Sequence, residues 1–274
     1  MSKRNRTGKS IGQDIPSLID TLLRVVDSSG GLSPFGDRPF ALLWAHLRSL
    51  NDVCQQALYA MERLSVLVSE PPETPSYLRE QYHLWGFLSR VKTGTDLVAL
   101  ILNVVFELGL PEGDCSLEKV RFSRALRRRA NARHGAAAGE LADTLDRARN
   151  DWIEPFYKVR NLVIHRNGLE LVRAPHPQSH ESHAFVAPAG LLATAGDRQV
   201  VERLLRQLGL VQVPLACTTV IEPVNLCELL WARLAALVNA VLVTSGRHID
   251  HFVSEQSAGS EGNTWAADDG ETGG

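Results

Sequence analysis

The sequence has few aromatic residues and no large excess of charge of either sign. Phe, Trp and Tyr make up 6% of the 274 residues, while 44% are hydrophobic and 22% charged. A chain of this size can bury a large core, and the abundance of Leu, Ala and Arg favours packed helices over a β-sandwich. The formal net charge is −2, so the overall charge does not favour binding to nucleic acid or a membrane surface. Such binding would need a local basic patch.

Cysteine motifs and several familiar catalytic motifs are also missing. The four cysteines are Cys54, Cys115, Cys217 and Cys227, and no two of them form a C-x-x-C pair. The spacing therefore gives no support to a zinc or redox site and predicts reduced thiols. Only Cys115, followed by Ser116, has surroundings that leave cysteine–histidine catalysis open. A phosphate-binding glycine loop, a G-x-S-x-G elbow and an H-E-x-x-H pair are absent.

Long hydrophobic runs are scarce. The apolar stretch Leu97–Phe106 contains Asn103 and is shorter than the ~20 residues that a membrane-spanning helix needs. The basic N-terminus is not followed by a long apolar segment before Asp14, so no signal peptide is indicated. We expect a cytoplasmic protein without a membrane partner.

Apolar residues recur at steps of three and four in four long segments, which predicts a mainly α fold, a bundle of long antiparallel helices. The predicted helices cover residues 39–68, 75–108, 139–166 and 225–245. Pro155 lies inside the third and should kink or restart it, because proline lacks the backbone N–H. Gly246 is the predicted end of the fourth.

Between the last two helices, the sequence alternates in the manner of strands. The strand-like segments are residues 169–173, 184–188 and 211–224, separated by helical spacing in residues 197–208. They predict a small β-hairpin or sheet inserted into the bundle at about 169–224. Polar composition predicts disordered tails at residues 1–12 and 253–274, which leaves residues 13–252 as one helical domain.

The end of the third helix carries a cluster of polar residues beside an apolar stripe. The stripe is formed by Trp152, Phe156, Val159 and Val163. Asn161 and His165 are four residues apart and lie on one side of a helix, whereas Arg160 and His165 are five apart and point in different directions. One helix therefore makes half a site. Two copies packed antiparallel in a homodimer, or unwinding of the last turn after His165, would complete it. His165, in the last turn, lies near the negative end of the helix dipole, which favours imidazolium.

The run Arg160-Asn-Leu-Val-Ile-His165 resembles the R-N-x-x-x-H signature of HEPN domains. Residues 87–103 also resemble the helix that packs on the motif helix in bacterial HEPN proteins, and the likeness covers about residues 39–250. It implies a dimer in which two motifs line one cleft that cuts RNA without metal or cofactor. In that chemistry His165 is the general acid or base, Arg160 stabilises the phosphorane charge, and Asn161 orients His165 or the phosphate.

The resemblance implies a role in bacterial defence, stress response or a toxin–antitoxin pair, with a cognate antitoxin or nucleotidyltransferase as a further partner. The alternative is a noncatalytic HEPN interaction module that binds RNA, nucleotide or a protein partner. A purely structural interpretation is also open: His165 as a helix C-cap, with Arg160 paired to Glu154 or Tyr157.

Residues 119–133 contain seven Lys and Arg and no acidic residue, which predicts contacts with phosphates or, alternatively, a solvated helix face. The candidate RNA-binding residues are Tyr157, Arg166, Arg124, Arg127 and Arg128. His176, His180 and His183 have spacing that could hold a metal, but their Pro- and Ser-rich surroundings favour a surface turn, so no metal site is predicted. Lys92 and Asp96 form either a surface pair or buried groups that face the site.

Overall fold

The fold is mainly helical, as predicted, with a small antiparallel β-region. The computed structural model describes residues 19–20, 37–69, 77–129, 135–166, 169–175, 182–188, 195–208, 213–215 and 218–261. The helices are α1 (Asp37–Ser69), α2 (Tyr77–Val105), α3 (Val120–Arg129), α4 (Gly135–Ala148), α5 (Glu154–Arg166), α6 (Ala195–Gln207) and α7 (Pro223–Glu261), and a 3₁₀ turn covers Glu112–Asp114.

Helices α1 and α2 form an antiparallel hairpin at the centre of the bundle. Its apolar stripes are buried where the helical spacing predicted: Leu47, Leu50 and Leu64 of α1 and Leu84 and Phe87 of α2 are fully buried. Helix α7 runs alongside α2, and the two backbones approach closely at Gly94. A Cβ atom added there would lie 3.2 Å from a methyl group of Leu234, so glycine suits this crossing.

The predicted interruption at Pro155 is confirmed. Helix α4 ends at Ala148, a π turn follows over Arg149–Ile153, and α5 begins at Glu154. In this wide turn the Glu154 N–H donates to the carbonyl of Arg149, five residues earlier. The wide turn lies directly before Pro155, which has no N–H to donate to a helical carbonyl. The chain therefore stays helical on both sides of the proline.

The β-region is confirmed and consists of two short hairpins. Strands β1 (Leu169–Pro175) and β2 (Ser182–Pro188) pair antiparallel, as do β3 (Val213–Leu215) and β4 (Thr218–Val220). Val186 and Ile221 exchange two backbone hydrogen bonds of 2.7 and 3.2 Å, which join the hairpins. The predicted tail at 1–12 lies outside the described residues.

The predicted end of the last helix was wrong. Helix α7 continues through Gly246 to Glu261, because Ile249 is fully buried and His248 stacks on Phe106 with ring centroids 4.8 Å apart. Residues 253–261, assigned from composition to a disordered tail, extend this helix. By length and composition alone, residues 223–251 of α7 could also cross a membrane, with a mean hydropathy of 1.8, but 56% of that apolar window is buried inside the protein.

Candidate functional site at helices α2 and α5

Helix α5 is held by the stripe that its sequence predicted. Trp152 in the π turn is 3% exposed, and Phe156 and Val159 of α5 are 0% and 1% exposed. The helix runs antiparallel to α2, since Tyr157 meets Asp96 and, further along, the Leu171 N–H donates to the side chain of Gln81 over 2.9 Å. The motif helix therefore lies along α2.

A polar network joins α5 to α2 through Tyr157. Its hydroxyl lies 2.7 Å from Asp96 Oδ1 and 2.7 Å from the hydroxyl of Thr95. Lys92 pairs with the other oxygen of Asp96 and lies 4.9 Å from the centre of the Tyr157 ring. Burial, followed by the charge of Asp96, raises the pKa of Tyr157 well above its ordinary value. The neutral phenol is thus a fixed donor to a carboxylate.

Lys92 and Asp96 combine the two alternatives: they form an i,i+4 pair with side chains 26% and 32% exposed, and both line a pocket. Tyr157, in contrast, was predicted as an RNA contact and is only 3% exposed. The small exposed part of Tyr157 forms part of the wall of a pocket, and its hydroxyl already bonds to Asp96 and Thr95. Contact between Tyr157 and RNA stays a prediction.

The pocket lies between α2, α5 and the segment that follows α2. It has a volume of about 480 Å³, and its polar lining includes Lys92, Asp96, Glu112, Glu118, Tyr157 and Asn161. Three of these groups are carboxylates and one is an ammonium, so the pocket disfavours a phosphate. Asn161 is part of this lining, and its side chain is exposed.

Arg160 carries a guanidinium that the described residues satisfy only in part. Its side chain is half-buried, and the Nε atom is buried without a hydrogen-bond partner among the described residues. Its Nη1 donates to Oδ1 of Asn161 over 3.2 Å. Glu154 and Tyr157, the partners that a purely structural role would give Arg160, bond to other groups. Glu154 accepts from Lys158 over 2.7 Å, and Tyr157 donates to Asp96. Arg160 has no carboxylate partner in the part of the chain that is described.

The backbone of α5 continues through His165 and Arg166. By helical spacing, position 165 is one turn beyond Asn161 on the same side of the helix. The side chains of His165 and Arg166 lie outside what the structure describes, so the position of the imidazole stays a prediction.

The basic stretch is less free than its sequence suggested. Arg127 pairs with Asp143 and Asp146 of α4 at 2.6 and 2.7 Å. Arg121 pairs with Asp114, while Arg129 donates to the carbonyl of Glu107 over 2.8 Å. Arg124 and Arg128 are exposed and form no ion pair among the described residues. RNA binding by Arg124, Arg127 and Arg128 stays a prediction.

Sequence reasoning missed two parts of this site. One is Thr95, which is 0% exposed and bonded to Tyr157; its signal was a hydroxyl within the apolar face of α2. The other is the segment 112–118, which lines the pocket but has neither helical nor strand-like spacing. Its Cys115 thiol has a pKa raised by burial and then by Glu112, which disfavours the thiolate needed for cysteine catalysis.

No cluster of three His, Cys, Asp or Glu that could hold a metal occurs among the residues described. His176 and His180 lie outside those residues, and His183 is half-buried against Phe185. Cys54, Cys115 and Cys227 are buried free thiols, while Cys217 lies outside the described residues.

In comparisons with known proteins, no family model, curated protein or solved structure matched the chain.

Proposed function

We propose that this protein is a HEPN-like, metal-independent endoribonuclease whose R-N-x-x-x-H motif cleaves RNA in a cleft between two copies of the chain. The observation that supports this most is the uncompensated guanidinium of Arg160, half-buried with its Nε buried and unpartnered among the described residues. A charge held without a carboxylate costs stability and suits an anionic ligand.

Asn161 has a matching arrangement. Its Oδ1 accepts from Arg160 over 3.2 Å, which leaves its amide N–H groups directed elsewhere and able to donate to a phosphate oxygen. The carboxylates of the pocket that Asn161 lines repel phosphate, so the scissile phosphate is assigned to the Arg160 side of Asn161. Arg160 and Asn161 then bind the two non-bridging oxygens and stabilise the charge of the phosphorane.

His165 is the proposed general acid or base, acting on the ribose 2′-hydroxyl or the leaving 5′-oxygen. Internal attack by the 2′-oxygen forms a 2′,3′-cyclic phosphate and breaks the bond to the 5′-oxygen, which takes up a proton. The reaction exchanges one P–O bond for another and transfers protons. Imidazole and guanidinium groups suffice for these steps. Arg160 and His165 are five residues apart and point in different directions on one helix. The Arg160 and the His165 that act on one phosphate are therefore assigned to different copies.

The test is incubation of purified protein with total RNA in EDTA. We expect cleavage that falls at least ~100-fold in both His165→Ala and Arg160→Ala, with folding checked by circular dichroism. Arg233→Ala, which removes an exposed arginine of α7, is the matched control and should remain fully active. Equal activity of His165→Ala and the parent protein would rule out the mechanism, as would cleavage that needs added metal.

RNA binding without cleavage, lost in Arg160→Ala, would replace the enzyme by a noncatalytic interaction module that uses the same groups. A role in defence or in a toxin–antitoxin pair, with an antitoxin or nucleotidyltransferase partner, remains part of the proposal. Growth arrest on expression, relieved by His165→Ala, is its expected outcome.

A further inference from the structure

We propose that the pocket between α2, α5 and residues 112–118 binds a small organic dication, a molecule in which a short aliphatic chain joins two ammonium groups. The pocket has a volume of about 480 Å³, and its lining includes Lys92, Asp96, Leu100, Glu112, Glu118 and Tyr157. Arg160 is not part of this lining, and binding of such a cation does not depend on cleavage of RNA.

The charges that line the pocket do not balance. Asp96 pairs with Lys92, whereas Glu112 and Glu118 form no ion pair among the described residues. Glu112 also lies near His46, but burial lowers the pKa of His46, so this imidazole is neutral at pH 7. Two negative charges therefore remain for a ligand to compensate.

An organic cation fits this arrangement better than a metal ion does. A hard metal ion needs several oxygen ligands within about 2.0–2.6 Å of one point. No group of three His, Cys, Asp or Glu in the described part of the chain could hold one. A volume of about 480 Å³ is instead within the range of small-molecule sites, ~300–1,000 Å³. Carboxylates spread around such a space suit positive charges at two points of one molecule.

The protein already holds one ammonium group in this pocket. Nζ of Lys92 pairs with Asp96 and lies 4.9 Å from the centre of the Tyr157 ring, which is the distance of a cation–π contact. Tyr157 donates to the other oxygen of Asp96 over 2.7 Å. Both oxygens of Asp96 are thus bonded within the protein, and the ammonium groups of the ligand are assigned to the two other carboxylates.

The rest of the lining agrees with an aliphatic chain between two charges. Leu100 is half-buried in the lining and is assigned to the methylene groups of the ligand. Glu112 is exposed and Glu118 is half-buried, so an ammonium bound to either keeps part of its hydration. An anion would be repelled, a neutral molecule would leave both charges uncompensated, and a monoamine would compensate only one of them.

The experiment is isothermal titration calorimetry of the full chain with butane-1,4-diamine in ~0.15 M NaCl. We expect saturable binding with a Kd below ~1 mM, and no binding of butane-1,4-diol, which has the same chain without charges. Combining Glu112→Gln with Glu118→Gln should weaken binding at least ~10-fold. The matched control combines Glu228→Gln with Asp250→Asn, which removes the same charge from exposed positions of α7. It should bind the diamine as the parent does.

Circular dichroism checks that these variants are folded. Glu112→Gln alone, at an exposed position, repeats the test with an expected weakening of at least ~3-fold. Absence of saturable diamine binding, or equal weakening in the pocket variant and the α7 variant, would overturn the inference. Displacement of the diamine by an equal concentration of MgCl₂ would also overturn it, because it would indicate a metal site. A protein that binds the diamine but does not cleave RNA would refute only the proposed function.

Discussion

Arg173 of β1 reaches across to α2 and pairs with Glu80, whose side chain is 1% exposed, while the arginine is 21% exposed. The same guanidinium donates to the carbonyl of Leu67, in the last turn of α1, over 3.3 Å. A single side chain therefore joins the inserted hairpin to both central helices. The helical spacing of α2 did not reveal this pair, because its two residues are 93 positions apart.

We predict that Glu80→Ala lowers the free energy of unfolding by about 3 kcal/mol, since it leaves a partly buried guanidinium without its carboxylate. Urea unfolding followed by circular dichroism measures this. Glu154→Ala is the control: it removes an exposed pair with Lys158, whose side chains are 51% and 42% exposed, and should cost less than ~1 kcal/mol. Equal losses in the two variants would contradict the assignment.

Tyr157 makes stability depend on alkaline pH. Its folded-state pKa is raised by burial and by Asp96, whereas in the unfolded chain it is ~10. The stabilisation is complete below pH ~10 and is lost above it, by about 1.4 kcal/mol per pH unit from this group. In Tyr157→Phe this part of the slope should vanish, which unfolding at pH 9 to 11 can measure; an unchanged slope would exclude Tyr157 as its source.

At the scale of elements, the π turn shows what a proline can and cannot predict. Pro155 indicated the interruption between α4 and α5, because its missing N–H and its ring disturb a regular helix. The form of the interruption depends on packing, since Trp152 and Ile153 in the turn are buried at 3% and 0% exposure. Sequence alone does not distinguish a kink from a wide turn.

We predict that deletion of Asn150, an exposed residue of the π turn, lowers the free energy of unfolding by about 3 kcal/mol. A regular helix there would bring the Pro155 ring against the carbonyl of Asp151. Combining the deletion with Pro155→Ala should restore most of the loss, as judged by urea unfolding. If the second substitution brings no recovery, the proline is not the reason for the wide turn.

Two other elements show where local sequence was insufficient. The basic helix α3 has no acidic residue of its own, yet its arginines meet Asp114, Asp143 and Asp146 from other segments. Gly246 resembled a helix end, but the ~1 kcal/mol that a helical glycine costs is outweighed by the burial of Ile249. In both cases a tertiary contact decided the outcome.

Chains that end at different points of α7 test this contact. Ending the chain after His251 should leave stability within ~1 kcal/mol of the parent, because Ser254, whose side chain is described beyond that point, is exposed. Ending it after Ser245 removes Ile249 and the stacking of His248 on Phe106, and should cost about 3 kcal/mol. Thermal unfolding of the two chains gives the comparison, and equal midpoints would show that the last turns of α7 are dispensable.

At the scale of the whole molecule, the amphipathic pattern predicted the mainly helical fold and the place of the β-region, because burial of apolar stripes determines both. Only the residues of the candidate site that lie on one helix could be predicted from the sequence. Arg160 and Asn161 are adjacent in sequence, but Thr95, Lys92 and Asp96 come from α2, about 60 residues earlier, and only packing brings them to Tyr157.

The proposed site shared by two copies predicts recovery of activity in mixed pairs. Arg160→Ala and His165→Ala chains, each inactive alone, should regain about a quarter of the parent's RNA cleavage when refolded together, since half of the pairs are mixed and each has one complete site of two. Mixing two preparations of Arg160→Ala is the control. Absence of recovery, with mixed pairs shown to form, would mean that each copy holds its own complete site.

Because α2 is one continuous rod, Trp85 and Lys92 are seven residues and about 10 Å apart along it. Trp85 is 36% exposed, whereas Lys92 and Asp96 line the pocket. A small flat compound bound against the Trp85 ring would therefore lie beside that pocket without entering it.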